Sequence, residues 1–336
     1  MSFLKGKKVM ITGGAGFLGT NLSLYLADRG AKLIIIDNFM RRGAEKNYEV
    51  LKARFPDIIF YTVEISDIPS IITKELPELI YHFAAQVAVT SSVISPVSDF
   101  RINAEGTFHI ARTAHSNGIP VVYASTNKVY GDNVNKVPIK EHKTRYDFDG
   151  DLARRGIDEN FSIDASKRSP YGVSKLVGEM YVREYGGVSN RFSCMYGPHQ
   201  YGIVDQGWVS YFVARKLADE PITIFGDGKQ IRDVLHAADV VRLLELEGYH
   251  LTNNTGVDLR GEVFAIGGGH QNTISLLELC KELDITPSFG PWRPSDQKVF
   301  YADTAKAKRL LGWEPVVGIR EGIADLVRWV SSAKAG

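Results

Sequence analysis

Val9-Met10-Ile11-Thr12-Gly13-Gly14-Ala15-Gly16-Phe17-Leu18-Gly19 is the stretch from which the rest of the chain can be read. The apolar run from Lys7 to Thr12 has the character of a strand, and Leu18, Leu22, Tyr25 and Leu26 then recur at helical period. Glycines between strand and helix serve a tight turn, close backbone approach to a pyrophosphate, and packing of helix on strand. Gly13, Gly16 and Gly19 hold those positions, and Phe17 and Leu18 open the helix. The first turn of that helix has unpaired N–H groups that suit phosphate. A second apolar run, Leu33 to Ile36, ends in Asp37, with Asn38 beside it. A carboxylate there accepts from ribose hydroxyls and repels a 2′-phosphate, so the expected cofactor is NAD in preference to NADP. Arg42 follows closely and is placed among the cofactor contacts.

Outward from this loop, strand-like runs alternate with helical stretches through the first half of the chain. They are Ile58 to Val63, Leu79 to Phe83 and Val121 to Ser125. This alternation predicts βαβ units and a parallel sheet. Ligands in such sheets bind beyond the carboxyl ends of the strands, which singles out Glu64, Gln86 and Thr126. Past Tyr196 the composition becomes mixed. Ile222 to Phe225 and Val263 to Ile266 read as strands, and Ser275 to Leu283 and Ile319 to Val330 as helices. The expected fold is α/β: a Rossmann-type doubly wound parallel sheet over residues 1–195, with a smaller α/β C-terminal substrate domain over 196–336. The chain is expected to cross back to the first domain near 232–270. Residues 132–168 are polar and charged without clear periodicity, and a loop of that length is a candidate substrate lid.

Ser169-Pro170-Tyr171-Gly172-Val173-Ser174-Lys175 places a phenol and an ammonium at i and i+4 on one helical face. Free tyrosine titrates near about 10, too high for a base at neutral pH. A fixed positive charge nearby lowers this by roughly one to three pH units, into the range a general base needs. Val173, Leu176, Val177, Met180 and Tyr181 form an apolar stripe on the other side of this helix. The stripe has to be covered, by the sheet or by a second subunit.

The chain has 336 residues, a formal net charge of +1 and two cysteines, Cys194 and Cys280. Near-neutral charge provides no electrostatic case for nucleic acid or an anionic membrane, and no apolar run reaches membrane-spanning length. The residues from Met1 to Lys8 lack an apolar signal core. With so few cysteines, a reducing cytoplasm is the expected compartment. Histidines and cysteines are scattered, and no metal is expected.

Taken together, these motifs resemble the extended short-chain dehydrogenases/reductases, in the sugar-nucleotide epimerase/dehydratase group. Further tokens are His82-Phe83-Ala84-Ala85, Asn103-x-x-Gly106-Thr107, Tyr130-Gly131, Tyr196-Gly197-Pro198, Arg232-Asp233-x-x-His236 and Leu311-Gly312-Trp313. Within the group, Ser125-Thr126-Asn127-Lys128, Thr144-Arg145-Tyr146, Asp205-Gln206-Gly207-Trp208 and Ser295-Asp296-Gln297 resemble the branch that acts at C2 of a CDP-hexose. The resemblance implies Thr126, Tyr171 and Lys175 as the catalytic set, with Lys175 also binding nicotinamide ribose. It implies Glu64 and Ile65 at adenine, Ala84, Ala85, Gln86 and Asn103 along the cofactor, and Phe192 beside the nicotinamide. Arg232 and Arg293 would grip the substrate diphosphate, with Asn127, Lys128, Cys194, Gln206 and Asp296 as further substrate contacts. A homodimer through the Tyr171 helix is implied as well. Dehydration needs an acid and a base after Thr126, and Asn127 and Lys128 do not supply that pair. Epimerisation remains, at C2 of a CDP-hexose or, as the alternative, at C4 of a UDP-hexose. A non-catalytic NAD-sensing protein is the alternative from another class.

Overall fold

The structure is a computed structural model that describes residues 4–293 and 296–335, so Ser295 lies outside the described residues. Its centre is a seven-stranded parallel sheet. Across it run Val263–Ile266, Val188–Phe192, Val121–Thr126, Leu79–His82, Lys8–Thr12, Lys32–Asp37 and Ile59–Thr62. Chain order reverses between Lys8–Thr12 and Leu79–His82, the point at which a doubly wound sheet opens a ligand crevice. Register follows the apolar pattern: Met10 lies between Ile34 and Ile80.

Alternation along these strands feeds two cores. Val9, Ile11, Leu33, Ile35 and Tyr81 pack with Leu18, Leu22 and Leu26 of the helix Phe17–Ala27 and with Val240, Leu243 and Leu244 of Ala237–Thr252. Met10, Ile34, Ile36 and Ile80 turn the other way, onto Ile68, Ile71 and Ile72 and onto Ile110, Ala111 and Ala114.

The strand Val188–Phe192 carries no apolar run, yet all five of its residues are buried. Two of its polar side chains find partners inside the protein, whereas the Ser189 hydroxyl has none among the described residues. Arg191 forms an ion pair with Glu179 at 2.7 Å, and Asn190 donates to Glu247 at 2.9 Å. The edge strand Val263–Ile266 pairs with it in parallel, placing Phe264 opposite Asn190.

A smaller sheet is built from Cys194–Tyr196, Ile231–His236, Thr273–Ser275 and Val299–Phe300. Its core gathers Tyr196, Phe212, Val213, Ile224, Leu279 and Leu326. From Ile231–His236 the chain enters the helix Ala237–Thr252 and then joins the large sheet at Val263.

Residues 132–168 hold more regular structure than their composition indicates. Ile139–Glu141 and Tyr146–Phe148 form an antiparallel hairpin. Tyr146, Phe148 and Ile157 pack with Tyr130, Val134, Phe300 and Tyr301 in a core of their own. The ends of the segment are pinned together, Asp132 N–H donating to the Lys167 carbonyl at 2.9 Å. Periodicity is hidden here because the anchoring aromatics are spaced by turns rather than by one long element.

Candidate functional site

The glycine turn has the tight geometry that a dinucleotide site needs. Gly13 has φ +68°, and a Cβ there would lie 2.7 Å from the Ala84 nitrogen. A Cβ at Gly19 would come within 2.3 Å of the Gly13 carbonyl oxygen, so only glycine lets this helix seat on the turn. Phe17 and Leu18 send their side chains into the core and offer backbone N–H groups at a helix start whose N-cap, Gly16, has no side-chain bond. Asp37 is buried. Its Oδ2 accepts from Ala15 N–H at 3.0 Å and its Oδ1 from Phe39 N–H at 2.9 Å. Burial raises its pKa, and these backbone bonds oppose the rise. Next to it, Asn38 donates to both oxygens of the exposed Glu64 at 3.2 Å. The set fits a dinucleotide: an open helix start for the diphosphate, Asp37 for the ribose, and Ala84 and Ala85 along the crevice.

Several expected cofactor contacts are engaged elsewhere. Asn103 is 1% exposed. Its Oδ1 accepts from Gln86 N–H at 2.9 Å, and its Nδ2 donates to the Gln86 carbonyl and to Asp99. It lies on a π-helical turn over Arg101–Gly106 and holds the loop at Gln86. The Gln86 side chain is likewise held by Asp99 and Ala88. Ile65 packs on Gly106, Phe192 is buried at its strand end, and Arg42 is exposed. Its neighbour Arg41 is instead partly buried and donates to Gln206.

Thr126 ends the strand Val121–Thr126, and Tyr171 and Lys175 lie on the buried face of the helix Pro170–Glu184. Ser169 caps this helix by accepting from Gly172 N–H, with Pro170 at its first position. The Thr126 hydroxyl stands near Tyr171, on the side that favours the phenolate. Lys175 Nζ sits 4.0 Å above the Tyr123 ring. The expected depression of the Tyr171 pKa is corrected by the structure. Burial pushes it up to about 12, the Thr126 hydroxyl pulls down, Asp99 adds to the rise and Arg41 opposes it. Burial takes Lys175 down to about 7, against Asp99 and Glu179. Beneath the pair, neutral His82 bridges Thr12 at 2.7 Å and Thr107 at 2.9 Å.

The substrate candidates divide into two groups. Lys128, Cys194, Arg232 and Asp296 come together. Arg232 pairs with Asp296 at 2.7 Å, and Lys128 Nζ donates to Gln297 at 3.3 Å. Burial takes the Lys128 pKa to about 8, Arg232 acts in the same sense, and Asp296 and Cys194 oppose. Cys194 Sγ accepts from the Trp208 indole at 2.9 Å, so its thiol is engaged within the protein. Arg293 stands apart, 4.1 Å over the Phe225 ring, with its guanidinium on the Val204 carbonyl. Between the groups lies a cleft of about 500 Å³ lined by Asp132, Asn135, Lys136, Trp292, Arg293, Asp296 and Lys298. Asn127 is buried and accepts from Thr126 Oγ1 at 3.4 Å.

Two buried groups escaped the sequence reading. Glu179 binds Arg191 and accepts from Ser125 Oγ at 2.6 Å, tying the helix to the strand end beside Thr126. Asp99 accepts from Ser174 Oγ at 2.5 Å. Its i, i+4 spacing to Asn103 on a helical stretch was the available signal. Among the described residues, no group of three or more His, Cys, Asp or Glu is placed to hold a metal ion, and no helix is long and apolar enough to cross a membrane.

Comparison with known proteins agrees with this geometry. The CDP-paratose 2-epimerase of Salmonella typhi is 36% identical over 97% of this chain and 99% of its own. The Thermotoga maritima UDP-glucose 4-epimerase, solved with UDP-glucose, superposes with a TM-score of 0.78 at 28% identity, covering 97% of this chain and 99% of that one. The Thermus thermophilus UDP-glucose 4-epimerase in complex with NAD has a TM-score of 0.77 at 26% identity, with the same coverage. A family model described as GDP-mannose 4,6 dehydratase matches residues 10–326. With nearly its whole length matched, this chain belongs to the GDP-mannose 4,6 dehydratase family of extended short-chain dehydrogenases/reductases.

Proposed function

We propose that this chain is a nucleotide-sugar epimerase that inverts C2 of a CDP-hexose through a transient keto-sugar, with NAD as retained cofactor. The observation that carries epimerisation is Thr126 at the end of its strand, followed in sequence by Asn127 and Lys128, with Tyr171 and Lys175 on the buried face of one helix. Elimination of water needs an acid for the leaving hydroxyl and a base for the adjacent carbon. An amide exchanges no proton, and Lys128 is already committed to the Gln297 and Asp296 cluster. The family's name therefore describes the fold and cofactor logic, not the reaction here. The choice of C2 and of a cytidine nucleotide rests on the Salmonella relative.

When bound, NAD supplies reversible hydride exchange with the sugar carbon. Tyr171 removes the proton from the reacting hydroxyl and later returns it, while Thr126 holds that hydroxyl in line. Lys175 holds the nicotinamide ribose and provides positive charge near the developing phenolate. Lys128 and Arg232 face the diphosphate, a guanidinium fork suiting two phosphates. Inversion requires the ketone to turn its other face, so Arg293 and the wide cleft beside it hold the nucleotide end while the sugar rotates.

The test is turnover of CDP-, UDP-, GDP- and dTDP-hexoses, with the epimer ratio read by chromatography. Inversion at C2 of the CDP sugar is expected. Exclusive C4 inversion of a UDP-hexose would overturn the assignment in favour of a 4-epimerase. Deuterium placed at C2 should remain in the product, since the hydride never meets water; washout into solvent would point to an enolate route instead.

A homodimer accompanies this reading. Val173, Met180 and Tyr181 are exposed on the Tyr171 helix, as are Val93, Val97 and Phe100 on the short helices Val89–Ile94 and Pro96–Phe100. An apolar face of this breadth calls for a partner, and we assign it to a second copy of this chain. Cytoplasmic location is part of the same proposal.

A further inference from the structure

Asp99 has no part in the chemistry described so far. It is 1% exposed, on the short helix Pro96–Phe100. Its Oδ1 accepts from Gln86 Nε2 at 2.8 Å and Asn103 Nδ2 at 3.1 Å, and its Oδ2 from Ser174 Oγ at 2.5 Å. None of these three donors is charged. Hydrogen bonds satisfy its oxygens, yet a buried carboxylate still needs an opposite charge to answer it. Ser174 directly precedes Lys175, whose ammonium is buried above the Tyr123 ring. The other carboxylate near Lys175 is Glu179, one turn on, and it is already committed to Arg191 at 2.7 Å and to Ser125.

We propose that Asp99 is a positioning residue for the reaction: through Ser174 it anchors the catalytic helix, and its negative charge keeps the Lys175 ammonium protonated behind Tyr171. This rests on Tyr171 and Lys175 acting as the acid–base pair. The groups facing Lys175 are His82 and Tyr123 from the sheet, Asp99 from the packed helix, and Tyr171 and Glu179 from its own. Arg191 answers Glu179, and Arg41 bears on Tyr171 from the opposite side. His82 is held neutral by burial, its pKa down at about 3, so it neither competes for nor supplies charge at neutral pH. Burial lowers the Lys175 pKa, and with Asp99 the first influence opposing it and Glu179 the second, it stands at about 7. The lysine therefore stands close to losing its charge in the working range even with both carboxylates in place, and loss of the Asp99 charge would move it further that way.

The test compares Asp99→Asn with Ser174→Ala. Asp99→Asn keeps the shape and removes the charge; both limbs of the pH–rate profile should move to lower pH by about one unit, because a nearby carboxylate raises lysine and tyrosine pKa values alike. Ser174→Ala removes one bond and keeps the charge, so its limbs should stay in place at whatever rate remains. An Asp99→Asn profile superimposable on wild type overturns the proposal. A second measurement is independent of substrate: melting temperatures of the full chain with Asp99→Asn, Lys175→Met and both. Charge compensation requires the double variant to melt higher than the sum of the single losses allows. Strictly additive losses, or a double variant that fails to fold along with Asp99→Asn, overturn it whatever sugar the enzyme takes.

Discussion

Tyr171, the proposed acid–base, lies in a site whose burial opposes its ionisation. The phenol is pushed up to about 12, and Lys175 lies over Tyr123 at 4.0 Å. For Tyr171 to act as the proposed base, positive charge has to oppose this burial, as Arg41 already does. Tyr171→Phe should lower turnover by roughly 10²- to 10⁴-fold, the usual worth of general acid–base assistance. Bound NAD, measured by absorbance of the denatured purified protein, should be unchanged, since the glycine turn and Asp37 are untouched. A variant within a few-fold of wild type would mean that another group moves the proton. Thr126, Tyr171 and Lys175 were legible as sequence because strand end and i, i+4 spacing place them without reference to the rest of the fold. Asp99 was not, because a buried carboxylate and a surface one look alike until the residues around them are assembled. The bonds of Asn103 to Gln86 were hidden for the same reason, since they depend on the π-helical turn Arg101–Gly106.

The helix Pro170–Glu184 works as an element with two faces. One buries Tyr171, Ser174, Lys175, Gly178 and Glu179. A Cβ at Gly178 would come within 2.8 Å of the Asn103 carbonyl, so the helix is drawn tightly onto the preceding one. The apolar stripe read from the sequence divides in two. Leu176 packs inward beside Val129 and Tyr130, whereas Val173, Met180 and Tyr181 remain exposed. Tyr181 also packs on Phe108, ring centroids 4.7 Å apart, which extends the face onto the neighbouring helix. Asp at Met180 or Val177 should convert a dimer to a monomer by light scattering while the far-UV spectrum is retained. A wild-type monomer at micromolar concentration would reject the dimer outright.

At the scale of the whole molecule, buried charge is concentrated where the two parts of the chain meet on the large sheet. The pair Arg191–Glu179 is 3% and 0% exposed, and removing one partner of such a pair costs about 3–5 kcal/mol. Glu247 is fully buried against Asn190, and burial raises its pKa to about 8, the Asn190 bond opposing. Its ordinary value is near 4.5. Between those two values the folded protein holds a proton that the unfolded chain releases, so stability from this group is full at low pH and is lost as pH rises toward 8. Wild-type Tm should accordingly fall over that window by a few degrees beyond the loss seen in Glu247→Gln, which carries no titrating proton there. Equal slopes for the two proteins would place the charge elsewhere. By itself the sequence determined the glycine turn, its flanking strands, Asp37 and the Thr126/Tyr171/Lys175 set, because each depends on local period and backbone geometry. It left the strand Val188–Phe192 unread, since Asn190 and Arg191 are accommodated there only when Glu247 and Glu179 meet them from distant helices. It left residues 132–168 unread for a like reason: Tyr146, Phe148 and Ile157 are apolar anchors only once Phe300 and Tyr301 stand opposite. Tertiary structure alone decided these, because burial and charge compensation belong to pairs of residues far apart in the chain.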